Sequence, residues 1–225
     1  GVRALSGVDI GADEGTITGL IGPNGAGKTT MFNCITGMLE PNAGSITLDG
    51  KNLSKLAPYK RARLGIARTF QRLELFTSLS VRDNIKVAGE IRNRWHKGRI
   101  DVQAETEKVL DTLRITHLAD RLVAEIPTGM ARRVEMGRAL MTHPRILLLD
   151  EPASGQDEQE TVEFGELLVE LAKEGTGILL VEHDVALVMR VCSYIHVLDF
   201  GRIIASGSPE AIRRDPVVAE AYLGS

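Results

Sequence analysis

The chain has 225 residues, 43% hydrophobic and 25% charged, with a formal net charge of -3; this suits one large globular domain, or one domain with a subdomain, and excludes a disordered chain. With no basic excess there is no global field to hold the chain on nucleic-acid phosphates, so no nucleic-acid partner is expected. The distant pair Cys34 and Cys192 reads as buried thiols of a reducing compartment, and no apolar run nears the roughly 20 residues that span a bilayer, nor does Gly1-Val2-Arg3-Ala4-Leu5-Ser6 resemble a signal peptide, so a membrane role would come through a partner.

In chain order, Thr16-Ile17-Thr18-Gly19-Leu20-Ile21 reads as a strand entering a Gly-rich turn, and residues 28–36 as a short helix ended by Gly37. Gly44-Ser45-Ile46-Thr47-Leu48-Asp49-Gly50 alternates apolar and polar positions, as a half-buried strand does, and residues 66–71 read as another strand. From about Val81 to Leu140 the spacing becomes helical and charge-rich, with Val109, Leu110 and Leu113 among Glu105, Lys108 and Asp111; a mostly helical subdomain is expected. Within it, Arg92, Arg94, Lys97 and Arg99 around Trp95 read as a solvated loop between helices rather than a phosphate-binding run. Two apolar runs, 146–149 and 178–181, flank a helical stretch at 158–174, the pattern of buried parallel strands. Residues 194–200 and 202–206 around Gly201 predict a hairpin, and Ser208-Pro209 opens short helices. The fold class is therefore α/β, a mostly parallel sheet flanked by helices.

Gly22-Pro23-Asn24-Gly25-Ala26-Gly27-Lys28-Thr29 matches the phosphate loop GxxxxGK[ST]. Such a loop turns consecutive N–H groups into one hollow, which requires glycine at crowded or positive-φ positions, and starts a helix there so that its dipole faces the anion. Lys28 would reach the β and γ phosphates and the Thr29 hydroxyl would hold Mg²⁺, with Thr30 beside them. Ile146-Leu147-Leu148-Leu149-Asp150-Glu151 delivers two carboxylates to the carboxyl edge of a parallel sheet, Asp150 for the metal and Glu151 as general base for an attacking water. The strand at 178–181 ends in Glu182-His183-Asp184, which brings His183 to the same edge.

The order of these elements resembles that of the ABC ATPases over nearly the whole chain: phosphate loop, Gln71 after a strand, helical segment, a signature segment, Asp150-Glu151, Asp157 and His183. The resemblance implies a phosphate-loop NTPase core at residues 1–80 and 141–225 with an antiparallel β portion near the N-terminus, and a helical subdomain at 81–140. It also implies that Gln71 contacts the metal and the water and couples them to a membrane partner. His183 would sense the γ-phosphate, and two copies, identical or related, would sandwich two ATP molecules with Mg²⁺. Asp157 and the signature residues Thr128 and Gly129 would then contact nucleotide, the signature across the dimer. Leu64-Gly65-Ile66-Ala67-Arg68-Thr69-Phe70-Gln71, Val181-Glu182-His183-Asp184-Val185 and Ile126-Pro127-Thr128-Gly129 look most like ATPase subunits of branched-chain amino acid importers; urea, amide and lipopolysaccharide-export ATPases share much of this pattern. Transmembrane permease subunits, and indirectly a solute-binding protein, are the implied partners, at the cytoplasmic face of the cell membrane.

Two departures from the family carry expectations. Ile126-Pro127-Thr128-Gly129-Met130 keeps only the second glycine of Leu-Ser-Gly-Gly-Gln, which leaves a helix N-terminus and the Thr128 hydroxyl to face a γ-phosphate, with slower turnover. The family's first strand and adenine-stacking aromatic are expected upstream of Gly1, so adenine stacking falls on no residue here. A groove near residues 71–80, with Leu73, Leu75, Phe76 and Leu79, is expected to receive a partner's coupling helix. A soluble non-transport ABC protein and a regulatory nucleotide-binding module are the competing readings. The first usually pairs two ATPase units or inserts a coiled coil, which this chain lacks, and the second has no need of the base Glu151.

Overall fold

The computed structural model describes residues 3–223, so the expectations that rest on Gly1 lie outside the described residues. In chain order the elements are β1 (Ile17–Ile21), α1 (Lys28–Thr36), β2 (Thr47–Leu48), β3 (Lys51–Asn52), α2 (Pro58–Arg63) and β4 (Ile66–Arg68). There follow α3 (Val81–Trp95), α4 (Val102–Thr112), α5 (Thr128–Leu140), β5 (Ile146–Asp150), α6 (Glu158–Lys173) and β6 (Gly177–Val181). The chain continues through α7 (Val185–Val191), β7 (Tyr194–Asp199), β8 (Arg202–Gly207), α8 (Pro209–Arg214) and α9 (Pro216–Leu223).

Six strands form one sheet in the order β4-β5-β6-β1-β7-β8, parallel except for β8, which returns antiparallel to β7; β2 and β3 make a separate antiparallel pair. Both faces are covered, which is why β1 and β6 are buried throughout rather than alternating, β6 with apolar residues alone. Period-two geometry divides their side chains: Leu148, Leu179 and Leu20 pack with Phe32 of α1, whereas Leu147, Leu149, Ile178 and Leu180 pack with Phe164 of α6. The second cluster runs on into Val81, Ile85, Leu110, Leu113 and Met136, so residues 81–140 share the core beneath the sheet. Because β1, β5 and β6 are parallel, their carboxyl ends bring the phosphate loop, Asp150-Glu151 and Glu182-His183 to one edge.

Several local expectations need adjusting. The strand at 44–50 shrinks to two residues, because Asp49 (φ 48°) and Gly50 (φ 73°) turn the chain into β3. The strand at 66–71 ends at Arg68. Arg92, Arg94 and Trp95 belong to α3 rather than to a loop; Arg92 is buried and donates to the carbonyl of Gly98. Cys34 and Cys192 are buried free thiols, and burial pushes Cys192 up to about 12, out of reach of ordinary thiolate chemistry. Among the described residues no helix is long and apolar enough to cross a membrane.

Candidate active site

The glycines of the phosphate loop are required by space as well as by angle. Gly22, Gly25 and Gly27 have φ of 152°, 81° and 114°. A Cβ on Gly22 would lie 1.9 Å from the carbonyl oxygen of Leu198, and one on Gly27 would lie 2.7 Å from that of Ala4. The hairpin turn between β7 and β8 braces the loop from behind, where the Gly201 N–H donates to the Ala26 carbonyl at 2.9 Å. α1 then starts without a side-chain cap or an acidic residue in its first turn, so its N–H groups and dipole face the hollow. Lys28 is buried and donates through Nζ to the carbonyls of Gly22 (2.6 Å) and Pro23 (3.0 Å). Burial lowers its pKa, and the fields of Glu151 and Asp150 pull it back up.

At the sheet edge, Glu151 occupies the left-handed region with φ 50°, which aims its side chain back across the edge. Its carboxylate receives two donors: Gln71 Nε2 at 3.1 Å and His183 Nε2 at 2.8 Å. A carboxylate only accepts, so the His183 proton sits on Nε2. Asp150 is buried beside it, with Oδ2 paired to Arg68 at 2.9 Å. The Arg68 guanidinium lies between the rings of Phe32 and Phe70, 5.3 Å and 5.0 Å from their centroids, and also donates to Asn33 Oδ1.

A cavity of about 510 Å³ lies at this edge, lined by the whole run Asn24–Thr30 (residues 24–30) with Gln71, Glu151 and His183, while Gly22, Pro23 and Asp150 do not reach its lining. Thr128, Gly129 and Asp157 do not line it. They gather at a second place: a Cβ on Gly129 would lie 3.1 Å from Gln156 Cγ, and one on Gly155 would lie 3.9 Å from Thr128 Cγ2. Asp157 caps α6 there in a reciprocal capping box with Glu160. The sequence-predicted contacts therefore split into two groups on one chain. As for a metal, Thr29 and Gln71 offer hard oxygens at the cavity and the field of Asp150 reaches Lys28. One carboxylate with a hydroxyl and an amide suits Mg²⁺, which takes few protein ligands and completes its shell with phosphate and water.

Four buried charged groups at the site were not singled out from the sequence. Arg68 is one; a cation ending an apolar strand is its only signal. Glu135 and Arg132 of α5 are a pair that grips the backbone of Phe70 and Gln71: Glu135 accepts from Phe70 N–H at 3.2 Å, while Arg132 donates to the Phe70 carbonyl at 2.8 Å and to that of Gln71. Burial raises the Glu135 pKa against the pull of the Phe70 N–H and Arg132. In sequence such an i,i+3 pair looks like a solvated helix face. Glu182 is the fourth, buried just past the end of β6.

A groove of about 430 Å³ opens on the other side of Phe70. It lies between Tyr59 and Ala62 of α2 and Ile91 and Trp95 of α3, with Glu74 the one lining residue from the segment 71–80. Leu73, Leu75 and Leu79 are half-buried and Phe76 is exposed, with Arg138 over its ring, so the groove sits closer to α2 and α3 than the sequence suggested.

Residues 5–154 match the family model described as ABC transporter, and residues 202–225 match one described as branched-chain amino acid ATP-binding cassette transporter. The chain is 39% identical to the high-affinity branched-chain amino acid transport ATP-binding protein BraF of Pseudomonas aeruginosa and 40% identical to LivG, of the same description, from Salmonella typhimurium. Each alignment covers 100% of this chain and 93% of the relative. A lipopolysaccharide export system ATP-binding protein, LptB of Haemophilus influenzae, is 34% identical over 99% of this chain and 91% of its own length. Among solved structures, a nucleotide-free ATP-binding cassette from an ABC transporter and the ADP conformation of the cassette MJ1267 each superpose with a TM-score of 0.87 at 32% identity, over 99% of this chain and 93% of theirs.

Proposed function

Because this chain belongs to the ABC transporter family, we propose that it is the ATP-hydrolysing subunit of a membrane importer for branched-chain amino acids or similar small solutes. The observation that carries the enzymatic part is Glu151, fastened by Gln71 and His183 at the mouth of a cavity whose other wall is the phosphate loop.

The phosphates of ATP rest on the N–H groups at the start of α1, with Lys28 exchanging its loop carbonyls for phosphate oxygens. Bound Mg²⁺ neutralises charge on the phosphates, and Thr29, Gln71 and Asp150 are the residues that would hold it. Glu151 takes a proton from the attacking water as its oxygen bonds to the γ-phosphorus and the bridge to the β-phosphate breaks, leaving ADP and phosphate. General-base assistance of this kind is worth on the order of 10²–10⁴ in rate. His183 and Gln71 hold the base in line, and His183 reports the γ-phosphate.

Two copies, identical or related, close on ATP, each placing the Thr128–Gly129 end of α5 over the other's cavity. The separation of Thr128, Gly129 and Asp157 from the cavity within one chain supports this arrangement. Residues 81–140 act as a helical subdomain, and the groove between α2 and α3 seats a permease element, which puts the subunit at the cytoplasmic face of the membrane. Export of lipid is the second reading, carried by the likeness to LptB, and it has the lower identity.

The test is ATP turnover by the purified chain and by Glu151→Gln, with size-exclusion chromatography in ATP and Mg²⁺. Turnover in the parent, its loss in the variant and an ATP-dependent dimer of the variant are expected. Uptake assays with reconstituted permeases then separate amino acid import from lipid export.

A further inference from the structure

We propose that Glu182 is a positioning residue that fixes the reach of Glu151 by fastening the turn after β5 to the turn after β6. The inference rests on the ATPase reading above and adds a residue to it. Glu182 ends a strand that is buried along its whole length, and is itself only 5% exposed. A carboxylate in such a place has to be satisfied by donors, and here the donors are backbone N–H groups from two different loops. Oε1 accepts from Ala153 at 2.7 Å, two residues past Glu151. Oε2 accepts from the His183 N–H at 3.0 Å.

The two oxygens therefore bridge the segments that carry the base and its histidine partner. The Glu151 N–H also donates to the Val181 carbonyl at 2.9 Å, so residues 151–153 are held at both ends by residues 181–182. Between those ties Glu151 adopts its left-handed φ of 50°, a conformation that persists in a non-glycine residue only where its surroundings impose it. Burial holds the Glu182 pKa above the usual carboxylate range, and its backbone donors oppose that shift.

Glu182→Ala and Glu182→Gln test this, with steady-state turnover, Mg²⁺-free affinity for a fluorescent ADP analogue, and amide hydrogen exchange resolved by residue. Glu182→Ala is expected to lower kcat about tenfold or more while nucleotide affinity stays within about threefold. Exchange should quicken at Ala153 and His183 and not in β1. Glu182→Gln keeps one acceptor oxygen, and should restore protection at Ala153 together with part of kcat. Turnover of Glu182→Ala within about twofold of the parent would overturn the proposal, as would a fall in nucleotide affinity and sheet-wide protection in step with kcat. If the parent itself shows no turnover, the ATPase reading fails, whereas unchanged exchange at Ala153 and His183 in Glu182→Ala sinks the positioning role alone.

Discussion

His183 Nε2 and Glu151 Oε1 stand 2.8 Å apart at the ends of two neighbouring parallel strands, so the carboxylate proposed as the base is oriented by a residue 32 positions away in sequence. His183→Ala removes one of the two donors on that carboxylate and leaves the phosphate loop untouched. Turnover should fall on the order of 10²-fold with KM for ATP little changed, as for a group that acts in the transition state. Steady-state kinetics on the purified variant check this.

Gly22→Ala should damage the fold and the site together. Its Cβ would meet the Leu198 carbonyl at 1.9 Å, and its φ of 152° is strained for alanine. A cost of roughly 2–4 kcal/mol is expected, or about 5–15 °C in Tm, with loss of ATP binding. Gly25→Ala is the control: it meets nothing within 4 Å and carries strain alone, about 1 kcal/mol. Thermal melts with and without ATP separate the two.

The elements that hold the site were legible because their signals are local. β5 and β6 are apolar runs bounded by charge, and α1 opens on its motif and closes at Gly37 with φ 82°. α7 was not, since its Val-rich sequence favours a strand; Asp184 caps it through Leu187 N–H, and burial of Leu187, Val188 and Val191 makes it a helix. The same limit applies within the site. Glu151, Lys28 and Gln71 sit in recognisable contexts, but the roles of Arg68 and Glu135 depend on partners 82 and 65 positions away, and no local pattern tells a buried charge from a solvated one.

Stability should fall as pH drops below His196's unperturbed value. His196 is buried and pairs with Ser206 Oγ at 2.8 Å across the terminal hairpin; burial lowers its pKa from the usual histidine value. Between the folded and unfolded pKa values the unfolded chain binds the extra proton. The contribution of His196 is therefore complete above about pH 6.5 and is lost as pH falls through that window, with a slope of at most about 1.4 kcal/mol per pH unit. His196→Gln should remove this slope from urea unfolding measured across the window.

Arg61 should prove as important to the site as its distance conceals. Its guanidinium is 2% exposed and donates to the carbonyls of Cys34, Ile35, Ser54 and Leu56, which satisfies the C-terminal end of the helix whose other end forms the phosphate hollow. Arg61→Met takes the guanidinium donors from all four carbonyls, leaving Cys34 only the Gly37 N–H, at a cost of roughly 3–5 kcal/mol in urea unfolding. ATP affinity should weaken with it, because the C-terminal end of α1 then loses its side-chain anchor.

Gly129→Asp separates the proposed roles of the two groups of residues. Its side chain would enter beside Gln156 Cγ and Glu160 Oε2, 3.1 Å and 3.5 Å from the Cβ, and place a negative charge at the start of α5. Neither residue lines the phosphate cavity of the same chain, so ATP binding by a single copy should be unchanged. In the closed dimer that carboxylate would face the partner's γ-phosphate and repel it. The expected result is parental affinity for ATP, no ATP-dependent dimer in a Glu151→Gln background and turnover by the assembled transporter reduced by about 10²-fold. Unchanged turnover would mean that α5 takes no part in hydrolysis, and that one chain completes its own site.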